Sequence, residues 1–333
     1  MIKNQVNQRE IRIGFIGVGF VSLMHHSAIK QTKNARLVGV HDVNQELMKK
    51  RASEWDVRAY DSIEELLHSP DIDLIYILSP VDHHYEHARK AIEADKHILI
   101  EKPVGTSVVE IRELARLAKE RGIYCVPGHN YIYNPSLWRI KRMIEREEMG
   151  DIAAGWIHYC VGHSDEIFAR YPGVIMQIMS HHAYTLLYLL GRPKKLFAMA
   201  TETRPNKLGK EDQAFVTAEM PNGTLVNLYV GVRTDDFTAQ PWPFMVKILG
   251  TEGGGFHSWR EGVNTRKVGT HPEAWIPYEE SYQFEADFLV NSVLLGGERP
   301  LSTIEDAIDT QIILEAAHHS AKTGNQIELD WGS

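Results

Sequence analysis

Residues 11–22 read IRIGFIGVGFVS, an apolar run followed directly by a glycine-rich turn. The run has the length and composition of a buried strand, and residues 20–31 are expected to form a helix after it. Such a turn lets the backbone approach a pyrophosphate held at the helix N-terminus. We assign the tight turn to Gly17 and the close approach to Gly19, while Ser22 stands where a third glycine is usual. The stretch predicts the first unit of a dinucleotide-binding domain.

Strand-like and helical segments alternate from this unit to residue 126. The expected strands are residues 11–16, 35–41, 73–78, 97–100 and 123–126, and the expected helices are residues 20–31, 45–55, 61–68, 83–94 and 107–121. Asp61 is the expected N-cap of the short third helix. Alternation of this kind predicts a parallel sheet with helices on both faces. We therefore expect residues 1–126 to form an α/β Rossmann domain.

The pattern changes after Pro127 and Gly128. A helix is expected from Asn134 to about Met149, and strand-like residues then predominate from 151 to 256, with one helix at 174–190. Strands in succession without intervening helices predict an antiparallel sheet. Two helices, at 279–295 and 304–322, are expected to follow. We therefore expect residues 127–333 to form a separate α+β domain.

The composition argues against several kinds of partner. The 333 residues carry a formal net charge of −8 with a pI near 6.1, which disfavours nucleic acid or an anionic membrane surface. Two cysteines, Cys125 and Cys160, make no disulfide framework and fit a reducing cytoplasm. The polar start of the chain and the glycines behind it predict neither a signal peptide nor a membrane span. We expect a soluble cytoplasmic protein.

A carboxylate follows the second predicted strand. Asp42 lies 25 residues after Gly17, at the position where an acid accepts hydrogen bonds from the adenosine ribose. Its charge would repel the 2′-phosphate of NADP, and no arginine follows it directly, so we expect NAD as the cofactor. The alternative interpretation is that Asp42 only caps the next helix.

The tripeptide Glu101-Lys102-Pro103 ends the strand at residues 97–100. A lysine at the carboxyl end of a parallel strand points into the crevice where open α/β sheets bind their ligands. Desolvation there lowers the pKa of a lysine and makes it a proton-transfer group. Alone, the tripeptide is an ordinary strand end. Together with the glycine-rich turn it predicts that Lys102 is functional.

With these residues assembled, the chain resembles the glucose–fructose oxidoreductase/inositol dehydrogenase (Gfo/Idh/MocA) family over nearly its full length. Five blocks carry the resemblance: Gly17-Val18-Gly19 with His25, Ser79-Pro80-Val81-Asp82-His83-His84, Lys96 to Pro103, Gly128-His129-Asn130-Tyr131, and Gly173 to His181 with Gly191 beyond it. Each block is weak evidence by itself, but the set is specific.

The resemblance implies a Rossmann domain and a C-terminal domain with a large open antiparallel sheet that would build a homodimer or homotetramer. It implies NAD(P)-linked redox at a hydroxyl carbon of a sugar or cyclitol. Lys102 would be the catalytic lysine, and His181 would exchange a proton with the reacting hydroxyl. The residues expected at the cofactor are Gly17, Gly19, Phe20, Val21, Asp42, Ser79, Pro80, Asp82, His84, Glu101 and Lys102.

One position departs from the family pattern. Gln177 stands where the family has an acid four residues before the histidine. On one helical face, an Asp–His pair would raise the basicity of the imidazole and fix its tautomer. Glutamine can orient an imidazole but carries no charge, so we expect His181 to be a weaker base. Met179, where the family has glycine, is a second departure.

Aromatic and amide side chains suit a sugar ring, which they can stack on and hydrogen-bond without a charged ligand. We expect Asn130, Tyr131 and His158 at the substrate, beside Lys102, Gln177 and His181. Strand alternation puts Trp156 and His158 on one face and the neighbouring Ile157 and Tyr159 on the other, so only one pair can face it. The alternative is that these aromatic residues belong to the core of the sheet.

Seventeen histidines raise the question of a metal site. A zinc site needs three or four convergent ligands. The best candidates are His83 with His87, one helical turn apart, and the adjacent His181 and His182. Adjacent residues on a helix diverge by about 100°. We therefore expect no metal.

The leading hypothesis is an NAD(H)-dependent dehydrogenase or ketoreductase acting on a sugar, a sugar derivative or inositol. A second hypothesis is an NAD-dependent glycosidase or lyase that uses transient oxidation, which the altered Gln177 motivates. A third is a redox-silent NAD-binding sensor, which the intact Lys102 disfavours.

Overall fold

The computed structural model describes residues 9–203, 208–233, 244–258 and 275–332. The chain divides into two compact units. The first unit comprises residues 1–130 and 279–305, and the second comprises residues 131–278 and 306–333. Among the described residues, no helix is long and apolar enough to cross a membrane.

The first unit contains a six-stranded parallel sheet. Its strands are β1 (Ile11–Ile16), β2 (Ala35–His41), β3 (Arg58–Ala59), β4 (Leu74–Ile77), β5 (His97–Glu101) and β6 (Cys125–Gly128). The strand order is β3-β2-β1-β4-β5-β6, and every pair is parallel. The order reverses between β1 and β4, which makes the carboxyl ends of these strands the expected place for a dinucleotide. The predicted Rossmann fold is confirmed.

Five α-helices connect these strands: α1 (Phe20–Gln31), α2 (Gln45–Trp55), α3 (Ile63–Leu67), α4 (His84–Glu93) and α5 (Val108–Arg121), and a 3-10 helix, Val81–His83, precedes α4. Their ends follow local chemistry. Ser107 accepts a hydrogen bond at the start of α5, and Gly122 ends that helix at a φ of 66°. Ser62, and not the predicted Asp61, is the N-cap of α3, because its hydroxyl accepts the N–H of Glu65.

A C-terminal segment belongs to the first unit, although the predicted boundary at residues 126 and 127 put it in the second domain. Helix α10 (Trp275–Asp287) continues as a π-helix, Phe288–Leu294. Leu289, Val290 and Val293 are buried in one cluster with the side chains of the parallel sheet. Burial of this apolar face explains why residues 279–305 pack with a sheet that is distant in the sequence.

The second unit is built on a seven-stranded sheet. Its strands are β7 (Ile152–Cys160), β8 (Lys195–Thr201), β9 (Gln213–Glu219), β10 (Leu225–Gly231), β11 (Phe244–Gly250), β12 (Gly254–Ser258) and β13 (Ile327–Glu328). The order is β12-β11-β7-β10-β9-β8-β13. The sheet is mixed, because β10 returns beside β7 in the same direction while the other pairs are antiparallel. The predicted antiparallel arrangement is confirmed for every described pair of this sheet except this one, which is parallel.

The helices of the second unit are α6 (Pro135–Glu145), α7 (Asp165–Phe168), α8 (Val174–Gln177), α9 (Ser180–Leu190) and α11 (Ile304–Thr323), which begins in the first unit. The single helix predicted for residues 174–190 is two helices. The N–H of His181 donates to the carbonyl of Ile178, three residues back, so the α-helical pattern is interrupted between Gln177 and His181.

Candidate active site

The glycine-rich turn lies at the point where the strand order of the first sheet reverses. Gly17 has a φ of 99°, and a Cβ there would lie 2.8 Å from the carbonyl of Leu78 and the nitrogen of Ser79. Gly19 caps α1 without a side chain, and a Cβ on it would meet nothing within 4 Å. A helix N-terminus with open space before it fits the pyrophosphate of a dinucleotide.

Asp42 joins the glycine-rich turn to the loop after β2. One carboxylate oxygen accepts the N–H of Val18 at 2.8 Å, and the other accepts the N–H of Asn44 at 2.8 Å. Asn44 is the N-cap of α2, since its side chain accepts the N–H of Leu47. Asp42 is therefore not the cap of that helix. Each carboxylate oxygen has a second lone pair, so this arrangement leaves capacity for a ribose hydroxyl.

The loop after β4 carries Ser79, Pro80 and Asp82. Pro80 and Asp82 are exposed, while the hydroxyl of Ser79 lies 2.9 Å from Nδ1 of His87. His84 is 2% exposed, and its two ring nitrogens lie 2.6 Å from the carbonyl oxygen of Ser79 and 2.8 Å from that of Pro103. The buried ring of His84 therefore contacts the backbone of this loop.

Glu101 connects Lys102 to the first helix. Its carboxylate contacts Nε2 of His25 at 3.0 Å and accepts the backbone N–H of Lys102 at 3.0 Å. Burial would raise the pKa of the Glu101 carboxyl, but the hydrogen bond and charge of His25, with Lys102, hold that pKa below its usual range. Glu101 therefore stays ionised at neutral pH.

Lys102 is half-buried at the end of β5, and the Lys102–Pro103 peptide bond is cis. Burial lowers the pKa of the Lys102 ammonium, while the charge of Glu101 acts in the opposite direction. A lowered pKa increases the fraction of neutral amine near neutral pH. This environment suits a lysine that takes a proton from a hydroxyl and returns it.

Two further polar residues of the first unit follow β6. His129 is 1% exposed and shares a hydrogen bond of 2.7 Å with the hydroxyl of Ser302. Burial and the charge of Lys102 lower the pKa of His129 to about 3, so its ring is neutral. The amide of Asn130 donates to the hydroxyl of Ser281 at 2.8 Å. Ser281 and Ser302, both in residues 279–305, thus anchor His129 and Asn130 by hydrogen bonds.

A buried carboxyl group also lies in this unit. Glu285 is 1% exposed on α10, and Tyr282, one turn earlier, presents its ring edge-on to His25 at 4.8 Å. Burial and the charge of Glu101 raise the pKa of Glu285 well above its usual range. Of these two carboxyl groups, Glu101 keeps the negative charge and Glu285 keeps the proton.

The second unit contains His181, near the start of α9. Its Nδ1 lies 2.6 Å from the hydroxyl oxygen of Tyr184, and its ring stacks on Tyr131 with centroids 4.1 Å apart and planes 12° apart. His181 and Tyr131 are 3% and 0% exposed. The tyrosine hydroxyl and the stacked ring together fix the orientation of the imidazole.

His158 does not lie beside His181. It pairs across the sheet with Tyr229, which pairs with Phe215, and the rings of these three residues are in contact. Tyr159, the next residue, points to the opposite face, where its ring is 6.1 Å from that of His181. The choice of His158 as a substrate contact is therefore corrected, because strand alternation puts it on the other face of the sheet.

Within the first unit, a series of contacts joins several of the predicted cofactor residues. It runs from Gly17 to Ser79, from Ser79 through His84 to Pro103, and from Lys102 through Glu101 to His25. Sequence reasoning missed Tyr184 and Glu285. Tyr184 lies three residues after His181, so helical spacing was a usable signal. In the described part of the chain, no cluster of three potential metal ligands is present.

Two family models match this chain. Residues 11–129 match the oxidoreductase family with an NAD-binding Rossmann fold, and residues 137–254 match the GFO/IDH/MocA C-terminal domain. The chain belongs to the Gfo/Idh/MocA family. Its first unit is the NAD-binding Rossmann domain of this oxidoreductase family, as predicted.

Relatives of the family align with different lengths of this chain. The uncharacterized oxidoreductase YrbE of Bacillus subtilis (strain 168) is 29% identical over 65% of this chain and 66% of its own length. In the same strain, the scyllo-inositol 2-dehydrogenase (NAD(+)) is 24% identical over 97% of both chains. The scyllo-inositol 2-dehydrogenase (NADP(+)) IolW is 25% identical over 62% of this chain and 59% of its own length.

A solved Gfo/Idh/MocA structure shows the same fold. The scyllo-inositol dehydrogenase of Lactobacillus casei, solved with bound NAD(H) and scyllo-inositol, is 18% identical with a TM-score of 0.85. The match covers 96% of this chain and 99% of that one. At this identity the likeness supports the fold alone.

Proposed function

We propose that this protein is an NAD(H)-dependent dehydrogenase or ketoreductase that acts on a hydroxyl carbon of a sugar, a sugar derivative or inositol. The observation that carries the proposal is Lys102 at the carboxyl end of β5, with a lowered pKa and its backbone N–H bound by the ionised Glu101. Burial that lowers the pKa of a lysine is typical of a functional site and is not required of a lysine at the protein surface.

The first unit supplies the groups that would hold the cofactor. Gly19 and the N-terminus of α1 would bind the pyrophosphate, and the loop at Ser79 and Pro80 would border the nicotinamide. Asp42 would accept hydrogen bonds from the ribose hydroxyls, and its charge would repel the 2′-phosphate of NADP, so NAD is favoured. When bound, NAD supplies the hydride acceptor for a carbinol carbon.

Lys102 and His181 are the proposed catalytic residues. Lys102, as the neutral amine, would take the hydroxyl proton during oxidation and return it during reduction. His181 would exchange a proton through Nε2, since Nδ1 contacts the hydroxyl of Tyr184. The roles of both residues rest on the family resemblance together with these local environments.

The substrate class rests on the relatives and on the residues that remain for binding. The relatives include one scyllo-inositol 2-dehydrogenase named for NAD(+) and one named for NADP(+). Gln177, half-buried near the end of α8, can both donate to and accept from a hydroxyl group. An amide in place of a carboxylate suits an uncharged polyol.

The experiment is a panel of sugars, sugar derivatives and inositols assayed for NAD reduction, with the wild type, Lys102→Met and the distant control Lys119→Met. We expect turnover of at least one polyol, its loss by a factor of about 10² or more in Lys102→Met, and no change in Lys119→Met. Cleavage of a nitrophenyl glycoside without net NADH would favour the glycosidase hypothesis. NAD binding without any turnover would favour the sensor hypothesis.

We also propose that the second unit forms a homodimer or homotetramer through the open face of its sheet. A row of side chains crosses four strands on that face, from Met199 through Phe215 and Tyr229 to His158. Met199 is 67% exposed and Phe215 is 50% exposed. An apolar surface of this kind is typical of a protein interface.

The oligomer is tested by light scattering coupled to size exclusion. We expect the wild type to elute as a dimer or tetramer and Met199→Lys with Phe215→Lys to elute as a smaller species. The control is Val109→Lys, an exposed apolar position on α5 of the first unit. A monomeric wild type would overturn this proposal.

The protein is further proposed to work in a reducing cytoplasm. Cys125 and Cys160 are both buried, and neither forms a disulfide. Cysteines that stay reduced are usual for cytosolic proteins.

A further inference from the structure

The hydroxyl group of Ser79 has a single hydrogen-bond partner in the part of the chain that the structure describes. This partner is Nδ1 of His87, which lies 2.9 Å from the hydroxyl oxygen. The two residues are eight positions apart, and the 3-10 helix Val81–His83 and the start of α4 lie between them. Helix α4 therefore contacts the loop that leads into it.

Ser79 lies against the glycine-rich turn. A Cβ on Gly17 would be 2.8 Å from the backbone nitrogen of Ser79. Ser79 is half-buried, and the proposed function puts its loop beside the nicotinamide. A serine hydroxyl has one donor site and two acceptor sites. After the contact with His87, two of these three sites remain for the cofactor.

We infer that His87 is a positioning residue, which holds the hydroxyl of Ser79 in the orientation that NAD(H) requires. His87 acts on the cofactor only through Ser79. The inference rests on the proposed function for the position of the cofactor. It adds a residue that lies outside the glycine-rich turn and outside the five blocks of the family resemblance.

The imidazole of His87 is neutral at neutral pH. Burial, and after it the charge of His83, lowers the pKa of His87 to about 4. A neutral imidazole has one N–H donor and one acceptor nitrogen, so Nδ1 forms one hydrogen bond with the hydroxyl in either tautomer. The hydroxyl donates to Nδ1 in one tautomer, and Nδ1 donates to the hydroxyl oxygen in the other. Both tautomers fix the position of the Ser79 oxygen.

Fixing this oxygen prepares the site for the cofactor. A serine hydroxyl can occupy three staggered positions about the Cα–Cβ bond. The contact with His87 selects one of them before the cofactor binds. The ring of His87 is itself stacked on that of His83, with centroids 5.8 Å apart and planes 25° apart. A group that is ordered in advance loses less conformational freedom on binding, so the cofactor binds more tightly.

The test is a double-mutant cycle on the dissociation constant of NADH. It compares the wild type, Ser79→Ala, His87→Phe and the variant that carries both changes. Phenylalanine keeps an aromatic ring beside His83 but has no nitrogen. His87→Asn is the conservative variant, because its amide can still form one hydrogen bond with the hydroxyl.

The matched control is His68→Phe, in the same unit. His68 is exposed, and its Nδ1 contacts the carbonyl oxygen of Glu64 at 2.8 Å. The control therefore loses a histidine hydrogen bond of similar length that does not involve the cofactor loop.

We expect His87→Phe to weaken NADH binding about fivefold, which is the size of one hydrogen bond. In the Ser79→Ala background the same change should leave the dissociation constant of NADH unaltered, because the hydroxyl that His87 holds is absent. His87→Asn should bind NADH nearly as tightly as the wild type, and His68→Phe should match the wild type.

An equal effect of His87→Phe with and without the Ser79 hydroxyl would overturn the inference, since His87 would then act by another route. NADH binding at the wild-type level in His87→Phe would overturn it as well. If His87→Phe fails to fold, the cycle uses His87→Leu, which is smaller and also has no nitrogen.

The cycle separates this inference from the proposed function. It needs no polyol turnover, so failure of the substrate proposal would leave its result unaffected. A wild type that binds no NADH would overturn the proposed cofactor site, and this inference with it.

Discussion

The hydroxyl oxygen of Tyr184 lies 2.6 Å from Nδ1 of His181, one helical turn earlier on α9. The hydroxyl is a hydrogen-bond partner for the imidazole, although Gln177 stands at the position where the family pattern has a carboxylate. A phenol can hold the ring in place without adding a negative charge. The Tyr184 hydroxyl and the stacked Tyr131 ring therefore hold His181 in a fixed orientation.

Tyr184→Phe removes this contact and keeps the buried ring. We expect kcat to fall about tenfold, because a hydrogen bond contributes roughly 0.5–1.5 kcal/mol and 1.36 kcal/mol is a factor of ten in rate. NADH binding should be unchanged. The matched control is Tyr188→Phe, one turn further along the same helix. Equal kcat values in the two variants would show that Tyr184 does not orient His181.

Glu101→Gln removes the charge that raises the pKa of Lys102. Oxidation requires the neutral amine, so its rate should rise with pH through the pKa of Lys102, which lies below the ordinary value of 10.5. In the variant this pKa falls further, and the limb of the pH–rate profile should move to lower pH. Glu86→Gln, an exposed acid on α4, is the control. If this limb of the pH–rate profile does not move in Glu101→Gln, the group that controls it is not Lys102.

Asp42 should make the protein prefer NAD to NADP. Asp42→Asn keeps an acceptor for the backbone N–H of Val18 or Asn44 but removes the charge that faces a 2′-phosphate. We expect the ratio of the NADP and NAD dissociation constants to fall, mainly through tighter NADP binding. Asp42→Ala should in addition weaken both nucleotides, since the link to the glycine-rich turn is lost. A wild type that binds NADP more tightly than NAD would refute the assignment of Asp42 to the ribose.

Gln177→Asp distinguishes a binding role from an orienting role. The helix is interrupted between residues 177 and 181, and Nδ1 of His181 already contacts Tyr184. We therefore expect the pH–rate profile to stay in place and KM for the polyol to rise. A profile that shifts to higher pH would show that the introduced carboxylate interacts with His181. Unchanged KM and an unchanged profile would show that Gln177 faces away from the substrate.

Glu285→Gln should stabilise the protein at neutral and higher pH. The folded state raises the pKa of Glu285, so folding takes up a proton once the pH exceeds the unfolded value near 4.5. The stability of the wild type therefore falls as the pH rises from about 4.5 towards the folded pKa, by at most about 1.4 kcal/mol per pH unit. Glutamine cannot ionise, so the advantage of the variant should grow over this range in denaturant unfolding.

The control for that series is Asp287→Asn, an exposed acid on the same helix. Its stability should follow the wild type at each pH. Identical pH dependence in Glu285→Gln and the wild type would show that Glu285 is ionised in the folded protein.

Much of the first unit could be predicted from the sequence. In residues 11–31 and 97–101, local apolar runs predict the strands and the helix, and glycines predict the turn. These signals are local, so they do not depend on contacts with distant residues. The parallel order follows from the alternation of elements, and the reversal between β1 and β4 places Gly17, Ser79 and Lys102 at one edge. The site residues of this unit could be proposed for the same reason.

Contacts between distant parts of the chain could be read only from the tertiary structure. Nothing local to residues 279–305 indicates that they pack with the parallel sheet, or that Glu285 is buried near Glu101. Alternation shows that His158 and Tyr159 face opposite ways, but only the packing of α9 decides which of them lies beside His181. Periodicity reports which residues share a face, whereas packing decides what each face covers, because burial depends on every element at once.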